Sequence, residues 1–227
     1  LVLRPQCGAD LQVLSHDLDI TPPAELTWST DVFGNLIATA HFAAPAERLA
    51  ITSRLMIDEA APDWPVFPIA PYAQKHPFHH SLDEAIDLGA LRASDGDSSV
   101  AIWAKSFVPG PGTDTLSLLQ DINHGVAAVV VYTPRAEEGT QRAEFTLRCR
   151  TGSWRDMAEL YLSAVRCLGF GAGAVSGYLV DPGRTGGADA THAWVEVYLP
   201  GAGWITFDPT NARMGAAGLV KVAVGRR

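Results

Sequence analysis

The sequence predicts an α+β protein, an N-terminal antiparallel β domain of sandwich type followed by helices packed on an antiparallel sheet. Three observations carry this. Residues 1–57 alternate short apolar stretches with turn chemistry. Five prolines between Pro62 and Pro77 interrupt the chain. Beyond Ser81, apolar residues recur at helical spacing before strand-like segments return. The expected boundaries are a β domain at 1–60, a proline-rich linker at 61–80 and a core at 81–227.

In the β domain, "LQVLSHDLDI", "AELTWST", "NLIATAHF" and "RLAITSRLMI" read as strands, and "DVFGN" as the hairpin turn between the second and third. The linker cannot hold a helix or a central strand, since proline removes a backbone donor at each position. In the core, "LDEAIDLGAL", "SSVAIWAKSFV" and "TDTLSLLQDINHGVAAVV" have helical apolar spacing, the last finishing as a strand at "AAVVVY". Thr113 is the expected N-cap of that third helix. A long helix at 154–168 comes next, stopped by Gly169. The strand-like segments "AVSGYLV", "HAWVEVYL" and "WITFD" complete the core.

Composition narrows the function. Lysine and arginine number 17 against 25 acidic residues, a net charge of −8, which argues against nucleic acid or an anionic membrane as partner. The longest apolar run, "GVAAVVVY", falls well short of the roughly 20 residues of a membrane-spanning helix. No leader pattern precedes it, although the opening Leu1 in place of Met implies a missing N-terminal piece. Cys7, Cys149 and Cys167 form neither a disulfide framework nor a CxxC metal pattern, which fits a reducing, cytoplasmic setting. "HPFHH" offers His76, His79 and His80, with Asp83 nearby, as metal-ligand types. In a proline-rich connection these read as a solvated loop, so no metal and no cofactor is expected.

Two places concentrate chemistry. Ser153 and Asp156 form a capping-box pattern, after which Trp154, Met157, Ala158, Tyr161, Val165 and Leu168 make an inward stripe. Trp154 is thus the first helical residue. A helix start offers unpaired N–H groups and partial positive charge, which would activate a cysteine thiolate and receive an oxyanion. An indole cannot exploit that field. The second place is "THAWVEVYLPGAGWITFD". A turn centred on Pro200 puts His192 opposite Asp208, Val195 opposite Ile205 and Val197 opposite Gly203, with a tight odd-length turn at 199–201.

At these residues the sequence resembles the bacterial transglutaminase-like superfamily, a branch of the papain-like cysteine hydrolases and transferases. The matching text is "GSWRDMAEL", "VSGYLVDP", "ATHAWVEVYLPGAGW" and "FDPTN", in family order across 151–211. "LVLRP", "DVFGNLIATAHF" and "RLAITSRLMI" resemble the β domain that precedes the core in many bacterial members. Those members begin before "LVLRP" and continue past "KVAVGRR", so the chain is expected to be shortened at both ends and to lack its first strand. The resemblance implies His192 as general base and Asp208 as its orienting acid. It puts the nucleophile at position 154, where the family has cysteine and this sequence has Trp154. Ser153, Tyr178 and Trp194 are the expected substrate-lining residues.

Two functions follow from the resemblance. One is a pseudoenzyme that binds a peptide or protein partner through the former cleft, or serves as an assembly module. The other is an active cysteine protease, amidase or transglutaminase whose nucleophile is altered or supplied by another residue. Ser153 is committed to capping, Cys149 precedes the loop, and Cys167 lies at the far end of the helix, about 20 Å away.

Overall fold

The computed structural model describes residues 1–94, 96, 98–180 and 191–227. The chain divides into two compact units that do not follow chain order. The first comprises Leu1–Pro62, Ser176–Thr191 and Ala216–Gly225. The second comprises Asp63–Val175, His192–Gly215 and Arg226–Arg227.

In the first unit, β1 (Leu11–Thr21), β2 (Glu25–Thr30), β3 (Leu36–His41) and β4 (Ala50–Glu59) make two antiparallel pairs, β1 with β4 and β2 with β3. The β1–β4 register shifts between Val13 and Ser15, a bulge that sets Leu14 outside the ladder. "DVFGN" turns as expected. The Asp31 carboxylate accepts from the backbone N–H groups of Phe33 and Asn35 at 2.9 Å each, and Gly34 supplies φ 79°.

The second unit opens with the proline-rich stretch. It holds no α-helix, only a 3₁₀ turn at Pro71–Ala73 and the two-residue strand β5 (Lys75–His76). The expected solvated loop is corrected here. His76 is buried, stacked on Phe170 at 5.5 Å with Nε2 bonded to the Leu168 carbonyl at 3.1 Å. The His80 side chain is enclosed as well, whereas His79 is exposed. Among the described residues no group of three His, Cys, Asp or Glu could hold a metal ion.

Then follow α1 (Leu82–Leu88), α2 (Ser98–Lys105), β6 (Thr113–Asp114), α3 (Thr115–Val129), β7 (Val131–Tyr132), α4 (Ala143–Cys149), β8 (Thr151–Gly152) and α5 (Trp154–Cys167). The expected cap at Thr113 gives way to Asp114, whose Oδ1 accepts from the Ser117 N–H at 3.1 Å. Thr113 is taken up by the bridge with His76, and its hydroxyl donates to the Gly110 carbonyl. "AAVV" stays helical to Val129, and only Val131–Tyr132 is extended.

α5 is the central helix, packed against α2, α3 and α4. The expected single inward stripe is too narrow, because Leu160, Leu162 and Ala164 are also fully enclosed. Burying a helix on most sides removes far more apolar area from water than one face would, at about 25 cal/mol per Å². No helix among the described residues is long and apolar enough to cross a membrane.

The chain ends in β9 (Gly171–Leu179), β10 (Thr191–Leu199), β11 (Gly203–Asp208), β12 (Arg213–Met214) and β13 (Leu219–Gly225). They form one five-stranded sheet in the order β12–β11–β10–β9–β13. Asp181, Pro182 and Ala190, which belong to the quoted motifs, lie outside the described residues.

Candidate functional site

The start of α5 is held by three devices. Arg150 adopts a left-handed conformation (φ 56°) that ends α4 and turns the chain into β8. β8 then pairs in parallel with β7, Tyr132 beside Gly152, and the Thr133 N–H donates to the Gly152 carbonyl at 2.8 Å. Gly152 itself is required, because a Cβ there would stand 2.9 Å from Asp156 Cβ and 3.3 Å from Thr146 Cγ2. The chain therefore arrives at Ser153 with little freedom.

The third device is Asp156, fully buried. Its Oδ2 accepts from the Ser153 N–H and the Ser153 hydroxyl, both at 2.8 Å. Arg135 Nη1 donates to both carboxylate oxygens at 2.8 and 3.0 Å, and the Gln141 N–H and side-chain amide complete the shell. Burial pushes the carboxyl upward, but these donors outweigh it and hold Asp156 below the ordinary carboxylate range. Ser153 is thus spent on Asp156 and has no hydroxyl proton to offer a substrate. Sequence reasoning found the Ser153–Asp156 pair and missed Arg135 and Gln141, whose approach from a distant loop leaves no local signal.

The His192–Asp208 contact forms, by a different register. The loop is odd in length as expected, but it is Pro200–Ala202, with Gly201 and Gly203 both at positive φ. Val195 therefore faces Phe207 and Val197 faces Ile205, a displacement of two residues from the expected pairing. Face parity survives such a displacement. His192 reaches Asp208 diagonally, Nε2 to Oδ2 at 2.8 Å, with both side chains almost fully enclosed.

Asp208 is further held by the backbone N–H groups of Thr210 (3.0 Å) and Asn211 (3.3 Å) and by the Asn211 side-chain amide at 2.7 Å. Burial pushes its carboxyl up, yet the His192 bond and charge and the Asn211 donors prevail and keep it below the usual range. An ionised carboxylate only accepts, so His192 Nε2 carries the donated proton. Asn211 stands in the "FDPTN" motif, yet its part in holding Asp208 had no separate signal there.

The structure brings Trp154 to this pair. Its ring centroid lies 6.3 Å from that of His192, with the planes tilted by 56°. Trp154 is half-buried, and the Arg155 guanidinium lies 5.7 Å from its ring centroid. The Trp194 ring centroid lies 6.2 Å from that of His192, and at 1 % exposure Trp194 packs the imidazole and offers no open surface. Tyr178, half-buried on β9, belongs to the first unit. Among the described residues no thiol joins this group. Cys149 is exposed at the end of α4, and Cys167 bonds Ser94 Oγ at 3.1 Å from the opposite end of α5.

Comparison with known proteins bears on the fold. Residues 102–209 match the transglutaminase-like superfamily, and residues 1–58 match the bacterial transglutaminase-like N-terminal region. An uncharacterized protein of Mycobacterium tuberculosis is 28 % identical over 242 residues, covering 99 % of this chain and 76 % of its own length. A crystal structure of a candidate cysteine protease from Cytophaga hutchinsonii superposes with a TM-score of 0.76 at 21 % identity, covering 99 % of this chain and 74 % of that one. The periplasmic domain of TgpA from Pseudomonas aeruginosa aligns with a TM-score of 0.49 at 17 % identity, covering 89 % of this chain and 73 % of that one.

Proposed function

The chain belongs to the transglutaminase-like superfamily, and on that premise we propose that it is a member without thiol chemistry that binds a peptide or protein segment at the former cleft. The observation that carries this is the pairing of Trp154 with His192 at the start of α5.

In thiol acyl transfer the imidazole takes the S–H proton and the thiolate attacks the carbonyl. The amine then leaves with a proton and an acyl-thioester remains. The His192–Asp208 pair is suited to the proton step, and the α5 start is suited to the developing oxyanion. An indole has no acidic S–H and no lone pair free to attack. The first bond of the sequence cannot form. What persists is a base–acid pair whose members satisfy each other, at the end of a rigidly held helix. Such a site keeps its shape for recognition after losing turnover.

Reversion tests this reading. Trp154→Cys should give a thiol that reacts with iodoacetamide at lower pH than an ordinary cysteine, and the effect should vanish when His192→Ala is added. Release of amine from a peptide carboxamide should then be measurable. A folded revertant with an ordinary thiol would show that the site has drifted beyond repair. Amide turnover by the unaltered chain would overturn the proposal and favour an active enzyme with another nucleophile.

A further inference from the structure

A cavity of about 380 Å³ lies in the second unit, away from Trp154, between the α3 side chains and the β12 turn. Its walls include Trp64, Asn123, Ala212, Arg213 and Met214. Arg213 is the backbone partner of Asp208 across β11 and β12, so the cavity sits one strand from the acid of the dyad.

Three features show that it is built for more than packing. Asn123 is 1 % exposed, and its Nδ2 donates to the Arg213 carbonyl at 3.1 Å while its Oδ1 has no donor among the described residues. Turning the amide over would set oxygen against oxygen, so the unpaired acceptor is fixed in place. An orphaned buried acceptor is costly in a native fold. Trp64 is 79 % exposed, a large apolar ring presented to water. Ala212 holds φ 52°, a backbone conformation that residues with a Cβ rarely adopt and that clusters at functional sites.

The chemistry selects a ligand. A small anion would satisfy the Arg213 guanidinium and leave Asn123 Oδ1 unpaired. A metal cation would find Asp63 and His124 in the wall, but among the described residues no group of three His, Cys, Asp or Glu could hold it, and Arg213 would face it as a like charge. A peptide unit offers both complements, an N–H for Asn123 Oδ1 and a carbonyl for Arg213, with its side chain free to lie on the Trp64 ring. We propose that this cavity is a peptide subsite taking one main-chain amide and an adjoining aromatic or aliphatic side chain. The inference rests on the reading of the former cleft as peptide-binding, and extends the bound segment past Asp208 to α3 and β12.

The test uses the full chain and N-acetyl-phenylalanine N′-methylamide, followed by amide chemical shifts in a titration to millimolar concentration. Saturable shifts centred on residues 120–124 and 212–214 are expected. One neutral hydrogen bond corresponds to about fivefold in affinity, so the probe methylated on its acceptor-seeking nitrogens should bind about fivefold more weakly. Trp64→Ala, an exposed change that spares folding, should weaken binding similarly, and Trp28→Ala in the first unit should not. Absence of saturable shifts, equal binding by Trp64→Ala, or displacement of the probe by inorganic phosphate would each overturn the proposal. The Trp154→Cys reversion is read by iodoacetamide alkylation at residue 154 and leaves these residues intact, so its outcome is independent of this one.

Discussion

Replacing Asp156 by asparagine removes one negative charge and keeps the shape. The carboxylate receives Arg135, Gln141 and Ser153 through both oxygens, and an amide can accept on one side only. Its NH₂ would face donors, and Arg135 would lose its buried counter-charge. Removing one partner of a buried ion pair costs about 3–5 kcal/mol. The Arg135 side chain keeps 20 % exposure, so water recovers part of its charge and the lower end applies, about 3 kcal/mol. With a urea slope of about 2 kcal/mol per molar, the unfolding midpoint should fall by about 1.5 M. Tryptophan fluorescence and far-ultraviolet circular dichroism would read it. Adding Arg135→Met should recover a good part of the loss, because a guanidinium left, among the described residues, with only the exposed Glu137 carboxylate at 3.6 Å is then gone. A loss below about 1 kcal/mol, or strict additivity of the two changes, would refute the view that this pair fixes the α5 start.

Three further outcomes follow from the same contacts. Asp156 and Asp208 both titrate below the ordinary carboxylate value in the fold, so the folded chain binds fewer protons than the unfolded one. Their contribution should be whole above the unfolded aspartate value of about 3.9 and be lost as pH falls through the folded values, and Asp156→Asn should flatten that acid limb in urea midpoints taken from pH 6 to pH 3. Tyr161→Phe removes a buried hydroxyl that donates to the Leu119 carbonyl at 3.2 Å, and should cost about 1 kcal/mol in urea unfolding. Gly152→Ala would drive a methyl against Asp156 and Thr146, and a loss of about 1–3 kcal/mol is expected by the same measurement.

Much of the fold was legible where local chemistry decides it. β4 alternates residue by residue, and Asp31, Gly34 and Asn35 mark the turn between β2 and β3. Gly169, at φ 94°, marks the end of α5. What escaped was set by distant contacts. α4 has only seven residues, and it ends at left-handed Arg150 where no glycine signals a stop. Thr113 and Asp114 are both good caps, and the Thr113 hydroxyl is drawn off to the Gly110 carbonyl, which leaves Asp114 to cap. β13 lies past the last recognised motif, and its place at the sheet edge depends on pairing with β9, with β10, β11 and β12 between them in the chain.

The dyad itself shows both sides. Apolar alternation in β10 and β11 fixed which face His192 and Asp208 share, since parity is an intrinsic property of a strand. The register depended on where the loop is centred, and that follows from two glycines at positive φ. Pro200 drew the centre one residue early. The diagonal reach between the two side chains made up the difference.

Thiol reactivity mapped residue by residue in the unaltered chain tests the central claim most directly. With the place beside His192 filled by an indole, Cys7, Cys149 and Cys167 should each react with iodoacetamide at neutral pH no faster than free cysteine in the same buffer, and identically in His192→Ala. A single cysteine alkylated rapidly near neutral pH, and protected by loss of His192, would contradict it.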